Sequence, residues 1–103
     1  MAAYIIADIL EILDQAKMNE YRQRVGATID SYGGRYLVRG GQTRVLEGDW
    51  QPRFPVVLEF PSIEQAERWY KSEEYRDVKA LRVAGARTNA ILVTGLGDSG
   101  TGH

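Results

Sequence analysis

FPVVLEF, residues 54–60, is the stretch of sequence that decides the fold. Val56, Val57 and Leu58 are consecutive apolar residues, and a short apolar run bounded by prolines is typical of a β-strand. Neighbouring residues of a strand point to opposite faces of its sheet, so this strand is apolar on both faces. A sheet with one face in water would instead alternate apolar and polar residues. Both faces of the sheet are therefore expected to be covered.

The segment after this strand predicts a helical region. Ser62 is the expected N-cap, and Gln65 three residues later gives a capping-box pattern. Ser72 predicts the cap of a continuation, so one helix or two are expected. The apolar side of this region is expected to carry Ala66, Trp69, Tyr70, Tyr75, Val78 and Leu81, with Arg82 next in sequence.

Three more strands and one helix are predicted around these elements. Residues 3–10 (AYIIADIL), 35–38 (RYLV) and 90–94 (AILVT) read as strands, and the second strand could extend to Val45 past Gly40. Between the first two, a helix capped by Asp14 carries an apolar stripe and stops at glycines 33–34. The order βαββαβ predicts an α+β, ferredoxin-like protomer, with an antiparallel sheet and the helices on one face. Residues 1–95 form one domain, and the Gly-rich tail 96–103 is expected to be disordered.

The first and fourth strands are also apolar on both faces. Ile5 and Ile6 are adjacent in the first, and Leu92 and Val93 in the fourth. The two helical regions cover only one face, and a large exposed apolar patch usually marks an interface. A homodimer with the two sheets facing each other is the economical solution.

Composition excludes several classes of function. The net charge is −1, with 13 basic and 14 acidic residues, whereas a nucleic-acid partner normally requires a basic stripe. No apolar run approaches the roughly 20 residues of a membrane span, and the lack of cysteine fits a reducing compartment, so no membrane partner and a cytoplasmic location are expected. The only histidine is His103, which leaves no catalytic triad, and carboxylates alone predict no dedicated metal site. G-x-G-x-x-G at 95–100 lacks the following helix of a dinucleotide site, so no cofactor is expected.

Charged residues inside the strands are the first candidate site. With the third strand between the first and second, Asp8, Arg39 and Glu59 are expected to lie side by side. One interpretation is a polar centre in an apolar cleft, where Glu59 or Asp8 is a base of raised pKa and Arg39 binds an anionic or carbonyl group. The other is a structural ion-pair network at the dimer interface.

Aromatic residues are the second candidate set. Tyr21 on the first helix is an expected orienting hydroxyl, in a network with Arg39 or Glu59. The candidate ligand-binding residues are Trp50, Trp69, Tyr75 and Arg82. Aromatic residues at helical spacing also suit a hydrophobic core. Trp50 lies in a loop, so it is the residue most expected to touch a partner chain or a ligand.

Several runs of sequence resemble a known family. They are GGRYLVRGG at 33–41, EGDW at 47–50, LEFPS at 58–62, and Ala66, Trp69, Tyr70, Ser72, Glu74, Tyr75, Leu81 and Arg82. Together they resemble the domain-of-unknown-function 1330 family of the dimeric α+β barrel group, over about residues 3–95. The resemblance implies a ferredoxin-like protomer whose dimer forms a barrel, and it brings no established activity. Relatives in the wider group include cofactor-free monooxygenases of aromatic polyketides, muconolactone isomerases and haem enzymes, which place ligands between sheet and helices. Haem-binding members usually supply an axial histidine, and the predicted domain has none, so no haem is expected.

Two functions follow as hypotheses. The first is a small dimer that binds an aromatic or carbonyl-bearing metabolite in a cleft of each protomer, with proton transfer or oxygenation as its chemistry if it is an enzyme. The second is a non-enzymatic dimer whose strand charges serve only folding and assembly.

Overall fold

The computed structural model describes residues 1–96, which form four strands and three helices. Residues 97–103, which hold most of the Gly-rich tail and His103, lie outside the described part. Within residues 1–96 no helix is long and apolar enough to cross a membrane. The elements are β1 (Ala3–Ile12), α1 (Gln15–Ser31), β2 (Arg35–Arg39), β3 (Pro55–Phe60), α2 (Ile63–Tyr70), α3 (Glu73–Gly85) and β4 (Ala86–Thr94).

The four strands form one antiparallel sheet in the order β2-β3-β1-β4. β3 lies between β1 and β2, as the βαββαβ order predicts. The predicted α+β, ferredoxin-like architecture is confirmed. The second helical region is split in two, because Ser72 caps α3 separately from α2.

Side chains cap all three helices at their first turn. Asp14 Oδ1 accepts from the backbone N–H of Lys17 at 3.0 Å, and Ser62 and Ser72 accept from N–H groups three residues later. Each bond satisfies a backbone donor that the helix leaves free. The capping box at Ser62 is only half formed, because Gln65 Oε1 accepts from Arg68 Nη1 at 3.1 Å and not from the backbone N–H of Ser62.

β1 ends at Ile12, two residues later than predicted, and larger differences are found at β4 and β2. β4 begins at Ala86 and not at residue 90, because Ala86 pairs with Ile12 and the polar start of β4 continues the ladder with β1. In the next pair of this ladder, Arg87 Nε donates to Glu11 Oε1 at 2.9 Å. β2 ends at Arg39 and does not reach Val45, since Gly40 takes a left-handed φ of 71° and leaves the strand.

One face of the sheet packs on the helices and holds the core. Phe60, Trp69 and Tyr75 are all at most 2% exposed there, and the rings of Trp69 and Tyr75 stack with centroids 4.0 Å apart. Such stacked pairs stabilise a core beyond the area that they bury.

The opposite face, which we call the open face, carries two rows of side chains that cross the strands. Strand register places Val38, Val57, Ile6 and Ile91 in the first row and Arg35, Glu59, Tyr4 and Val93 in the second. Ile6 is 37% exposed and Ile91 is 61% exposed. No element among residues 1–96 covers this apolar face.

Candidate functional site

A cavity of about 90 Å³ lies between the helices and the sheet and is partly open to solvent. We call it the sheet–helix cavity. Alternate residues of the central strand, Ile5, Ala7 and Ile9, line its floor. Six aromatic side chains also line it: Tyr21, Tyr36, Phe54, Trp69, Tyr70 and Tyr75. A mostly apolar concave site with a few polar groups is the usual form of a small-molecule site.

A hydrogen-bonded chain of three side chains crosses the cavity wall from α1 to α3. The hydroxyl oxygens of Tyr21 and Tyr75 are 2.9 Å apart, and Arg82 Nε donates to the Tyr75 hydroxyl at 3.4 Å. Burial raises the pKa of the Tyr21 hydroxyl well above its ordinary value, and the neighbouring Tyr75 raises it further. Tyr21 therefore acts as a neutral hydrogen-bonding group and not as a base. The predicted partners of Tyr21, Arg39 and Glu59, are not its partners here.

Trp69 is held in one orientation at the cavity wall. Its indole N–H donates to Thr28 Oγ1 at 3.0 Å, and that hydroxyl donates to the carbonyl of Val25 at 2.7 Å. Because its only polar atom is bonded to α1, Trp69 offers the cavity an apolar ring alone.

Two arginines stand at the rim of the cavity. The Arg39 guanidinium lies over the ring of Tyr36, 4.9 Å from its centroid, and that of Arg22 lies 6.0 Å from the centroid of Phe54. Both arginines are exposed and both line the cavity. A cation over an aromatic face is attracted by the ring and held near it.

Gly40 fixes the geometry of this rim. Its N–H donates to the carbonyl of Pro55 at 2.7 Å with a φ of 71°. A Cβ at this position would overlap the ring of Phe54. Glycine thus satisfies both the backbone conformation and the close approach of the ring.

Arg22 was not among the residues predicted from sequence. The signal was present, because Arg22 follows Met18 by four residues and precedes Val25 by three. That spacing puts Arg22 on the same side of α1 as the buried Met18 and Val25, where a charged residue is unusual.

Asp8 does not reach the cavity. It alternates along β1 with the cavity-lining residues, so it points to the opposite face of the sheet. Its Oδ1 accepts from the backbone N–H groups of Arg53 and Phe54 at 2.9 and 2.8 Å. Asp8 is therefore a buried anchor for the chain as it enters β3.

Glu59 lies on the open face, away from both Asp8 and Arg39. Glu59 pairs with Tyr4 of β1, whereas Asp8 lies four residues further along β1 and pairs with Pro55. At 3.3 Å per residue, Glu59 and Asp8 are therefore roughly 13 Å apart along the strand direction. Arg35 Nε donates to Glu59 Oε1 at 2.8 Å. That bond lowers the pKa of Glu59, whereas a raised pKa was expected.

A β-bulge explains why Arg39 leaves the other two charges. Tyr36 pairs with Leu58 and Val38 with Val57, so Leu37 is an extra residue in β2. After the extra residue the alternation is reversed, and Arg39 joins Tyr36 on the cavity side. The expected cluster of Asp8, Arg39 and Glu59 is not formed.

Trp50 is also outside the cavity. It lies in the loop between β2 and β3, is 69% exposed, and borders a shallow groove with Leu46 and Pro52. Of the eight residues predicted from sequence, the structure brings five together at the cavity: Tyr21, Arg39, Trp69, Tyr75 and Arg82.

Solved structures with the same fold are distant in sequence. A protein of unknown function from Rhodopseudomonas palustris is 16% identical with a TM-score of 0.73, over 93% of this chain and 83% of that one. SnoaB, a cofactor-independent oxygenase from Streptomyces nogalater, is 11% identical with a TM-score of 0.65, over 93% and 94%. A dimeric ferredoxin-like protein of unknown function from Jannaschia is 14% identical with a TM-score of 0.59, over 92% and 100%. At these identities the likeness shows the ferredoxin-like fold.

The sequence itself matches one family model. A comparison with the curated proteins finds no match. The model described as Domain of unknown function (DUF1330) matches residues 2–96, which include every described element of the fold and the whole sheet–helix cavity. This chain therefore belongs to the DUF1330 family, as the resemblance over about residues 3–95 indicated.

Proposed function

We propose that this protein is a homodimer that binds a small aromatic or carbonyl-bearing metabolite in the sheet–helix cavity of each protomer. The observation that carries the proposal is a cavity lined by aromatic side chains, with Arg39 at its rim. Arg39 takes part in none of the ion pairs found within residues 1–96. Apolar walls with one or two oriented polar groups favour a ligand that has an apolar body and a polar end.

Binding is better supported than turnover. Asp8 and Glu59, the two expected bases, face away from the cavity, and its lining within the described residues includes no carboxylate or histidine. The fold of SnoaB, a cofactor-independent oxygenase, is similar, but a fold alone does not carry an activity from one protein to another. Oxygenase or proton-transfer chemistry here would need a proton acceptor other than those carboxylates.

A thermal-shift screen tests the binding site. The probes are one-ring aromatic ketones, phenols and acids, measured on wild type, Ala7→Leu and Glu59→Gln. Ala7 lines the cavity floor, so a leucine side chain fills the space that a ligand needs. Glu59→Gln is the control, because Glu59 lies on the open face.

The expected result is a compound that raises the melting temperature of wild type and Glu59→Gln but not of Ala7→Leu. Stabilisation of Ala7→Leu to the same extent would place binding elsewhere and contradict the proposal. A screen in which no compound stabilises the wild type would count against it equally.

The open face supports the dimer. The row of Val38, Val57, Ile6 and Ile91 is apolar across all four strands and is uncovered within residues 1–96. The similar protein from Jannaschia is a dimeric ferredoxin-like protein. A second copy, sheet to sheet, would bury this row.

Light scattering at micromolar concentration tests the dimer. We expect twice the mass of one chain for wild type and a monomer for Ile91→Arg, because a charge in the centre of an apolar interface is costly. Val83→Arg is the matched control, since Val83 is 63% exposed on α3 and Ile91 is 61% exposed on the open face. A monomeric wild type, or an Ile91→Arg variant that still dimerises, would refute this part.

One observation favours the purely structural hypothesis for part of the molecule. Arg35, Glu59 and Tyr4 lie in one row across three strands of the open face, and Arg35 donates a hydrogen bond to Glu59. This row is suited to orienting two sheets and has no connection to the cavity. We therefore assign Glu59 to assembly, whatever the cavity binds.

A further inference from the structure

The charged groups that line the sheet–helix cavity are all positive. They are Arg22 on α1, Arg39 at the end of β2 and Arg82 on α3. None of the three takes part in the ion pairs found among residues 1–96. By contrast Arg24, two residues beyond Arg22, pairs with Glu20 at 2.8 Å. Among residues 1–96, three guanidinium groups and no carboxylate line one apolar cavity, which favours an anionic ligand.

The tyrosine pair adds a further donor. A guanidinium can only donate, so the Tyr75 oxygen accepts from Arg82. The bond between Tyr21 and Tyr75 uses one of their two hydroxyl protons, whichever residue donates it. The other proton has no acceptor among the described residues, and both hydroxyl-bearing residues line the cavity.

Thr88 provides a further polar group at the cavity. Its Oγ1 is buried, makes no hydrogen bond within the described part of the chain, and belongs to the cavity lining. A buried hydroxyl without a partner is costly, and a ligand oxygen in the cavity could satisfy it.

The size of the cavity limits the ligand. An engineered cavity of about 150 Å³ holds benzene, and this one is about 90 Å³ with an opening to solvent. The enclosed part is smaller than the cavity that holds benzene, so it admits at most part of a single ring, and the rest of the ring and the polar end of the ligand lie in the opening. Arg22 and Arg39 are the exposed arginines at that opening.

We infer that the ligand of this cavity is a one-ring aromatic carboxylate, with its ring against Trp69 and Tyr75 and its carboxylate in the opening, beside Arg22 and Arg39. This inference rests on the proposed function and adds the charge and size of the ligand. A planar carboxylate matches the planar fork of a guanidinium. A doubly charged phosphate is more costly to bring beside apolar walls than a singly charged carboxylate.

Calorimetric titration with two isosteric probes tests the inference. Benzoate and benzamide have nearly the same shape and differ in charge. We expect benzoate to bind wild type at least about tenfold more tightly than benzamide, the scale of one charge-assisted hydrogen bond. Arg22→Gln and Arg39→Gln are each expected to weaken benzoate binding about tenfold or more and to leave benzamide binding unchanged. Both arginines are exposed, so both variants are expected to fold.

Arg24→Gln is the matched control, because it removes the same charge from α1 outside the cavity. An equal loss of benzoate affinity in Arg24→Gln would show general attraction and overturn the inference. Equal binding of benzamide and benzoate would also overturn it, while leaving the cavity as a binding site. Tighter binding of phenyl phosphate than of benzoate would overturn the choice of a carboxylate. If neither benzoate nor benzamide binds and the neutral probes of the thermal-shift screen also fail, the inference and the proposed function fall together.

Discussion

The hydroxyl oxygens of Tyr21 and Tyr75 lie 2.9 Å apart, which joins the middle of α1 to the first turn of α3. This bond closes one wall of the cavity and sits beside Arg82. The same two hydroxyl groups therefore hold α1 and α3 together and form part of the polar surface that a ligand would meet.

Alkaline titration should reveal the burial of Tyr21. Because its pKa is raised on folding, Tyr21 contributes stability that is complete below the unfolded pKa of about 10 and decreases as the pH rises above it. Absorbance at 295 nm should rise by the same amount in wild type and Tyr21→Phe up to the pH at which the fold opens. The two proteins should differ only above that pH. A smaller rise in Tyr21→Phe while the protein is still folded would mean that Tyr21 ionises in the folded protein.

Trp69→Phe should destabilise the protein by about 1–3 kcal/mol, because it leaves the buried Thr28 hydroxyl without the indole N–H. Trp69 is 2% exposed and Trp50 is 69% exposed, so Trp50→Phe is a matched control with an expected change within about 0.5 kcal/mol. Denaturant unfolding followed by circular dichroism measures both. Equal effects of the two substitutions would contradict the assignment of Trp69 to the core.

Asp8→Ala should cost about 2 kcal/mol or more, since two backbone N–H groups lose a charged acceptor. Hydrogen exchange should become faster at the amides of Arg53 and Phe54 in particular. Asp8→Asn retains an acceptor oxygen and should keep most of that protection. Unchanged exchange at both amides in Asp8→Ala would show that Asp8 does not anchor this segment.

Gly40→Ala should destabilise more than Gly48→Ala. Both glycines have left-handed φ values, 71° and 79°, so both substitutions carry a backbone cost of about 1–2 kcal/mol. Only at Gly40 would the new Cβ overlap a neighbour, the Phe54 ring, which adds about 1–3 kcal/mol. Free energies of unfolding that agree within error for the two variants would contradict the close packing at the cavity rim.

Most of the fold follows from local signals in the sequence. Asp14, Ser62 and Ser72 predict the helix starts, and all three side chains cap the helices as expected. Adjacent apolar residues such as Ile5 and Ile6 predict a sheet apolar on both faces, and Ile6 indeed lies on an uncovered face. These signals are reliable because each depends on residues a few positions apart.

The candidate site was harder to predict, because it depends on register. No sequence signal marks Leu37 as the extra residue of a bulge, yet that residue moves Arg39 from the side of Glu59 to the cavity. Asp8 accepts hydrogen bonds from the amides of Arg53 and Phe54, which are 45 and 46 residues away in sequence. From the sequence alone, a carboxylate in a strand predicted a catalytic base as readily as a structural residue. The sequence was more informative for four residues of the helices, because their spacing already placed them on the apolar side of their helix or next to it. They are Tyr21, Trp69, Tyr75 and Arg82.

The alternation along β1 has a consequence for how this chain tolerates change. Ile5, Ala7 and Ile9 face the cavity, while Tyr4 and Ile6 face outward, where we propose a second copy. Inserting or deleting a single residue in β1 would exchange these two sets of side chains beyond the point of the change. Pocket and interface would then be lost in one event, whereas a substitution can alter either one alone. We therefore expect β1 to tolerate substitutions far better than insertions or deletions.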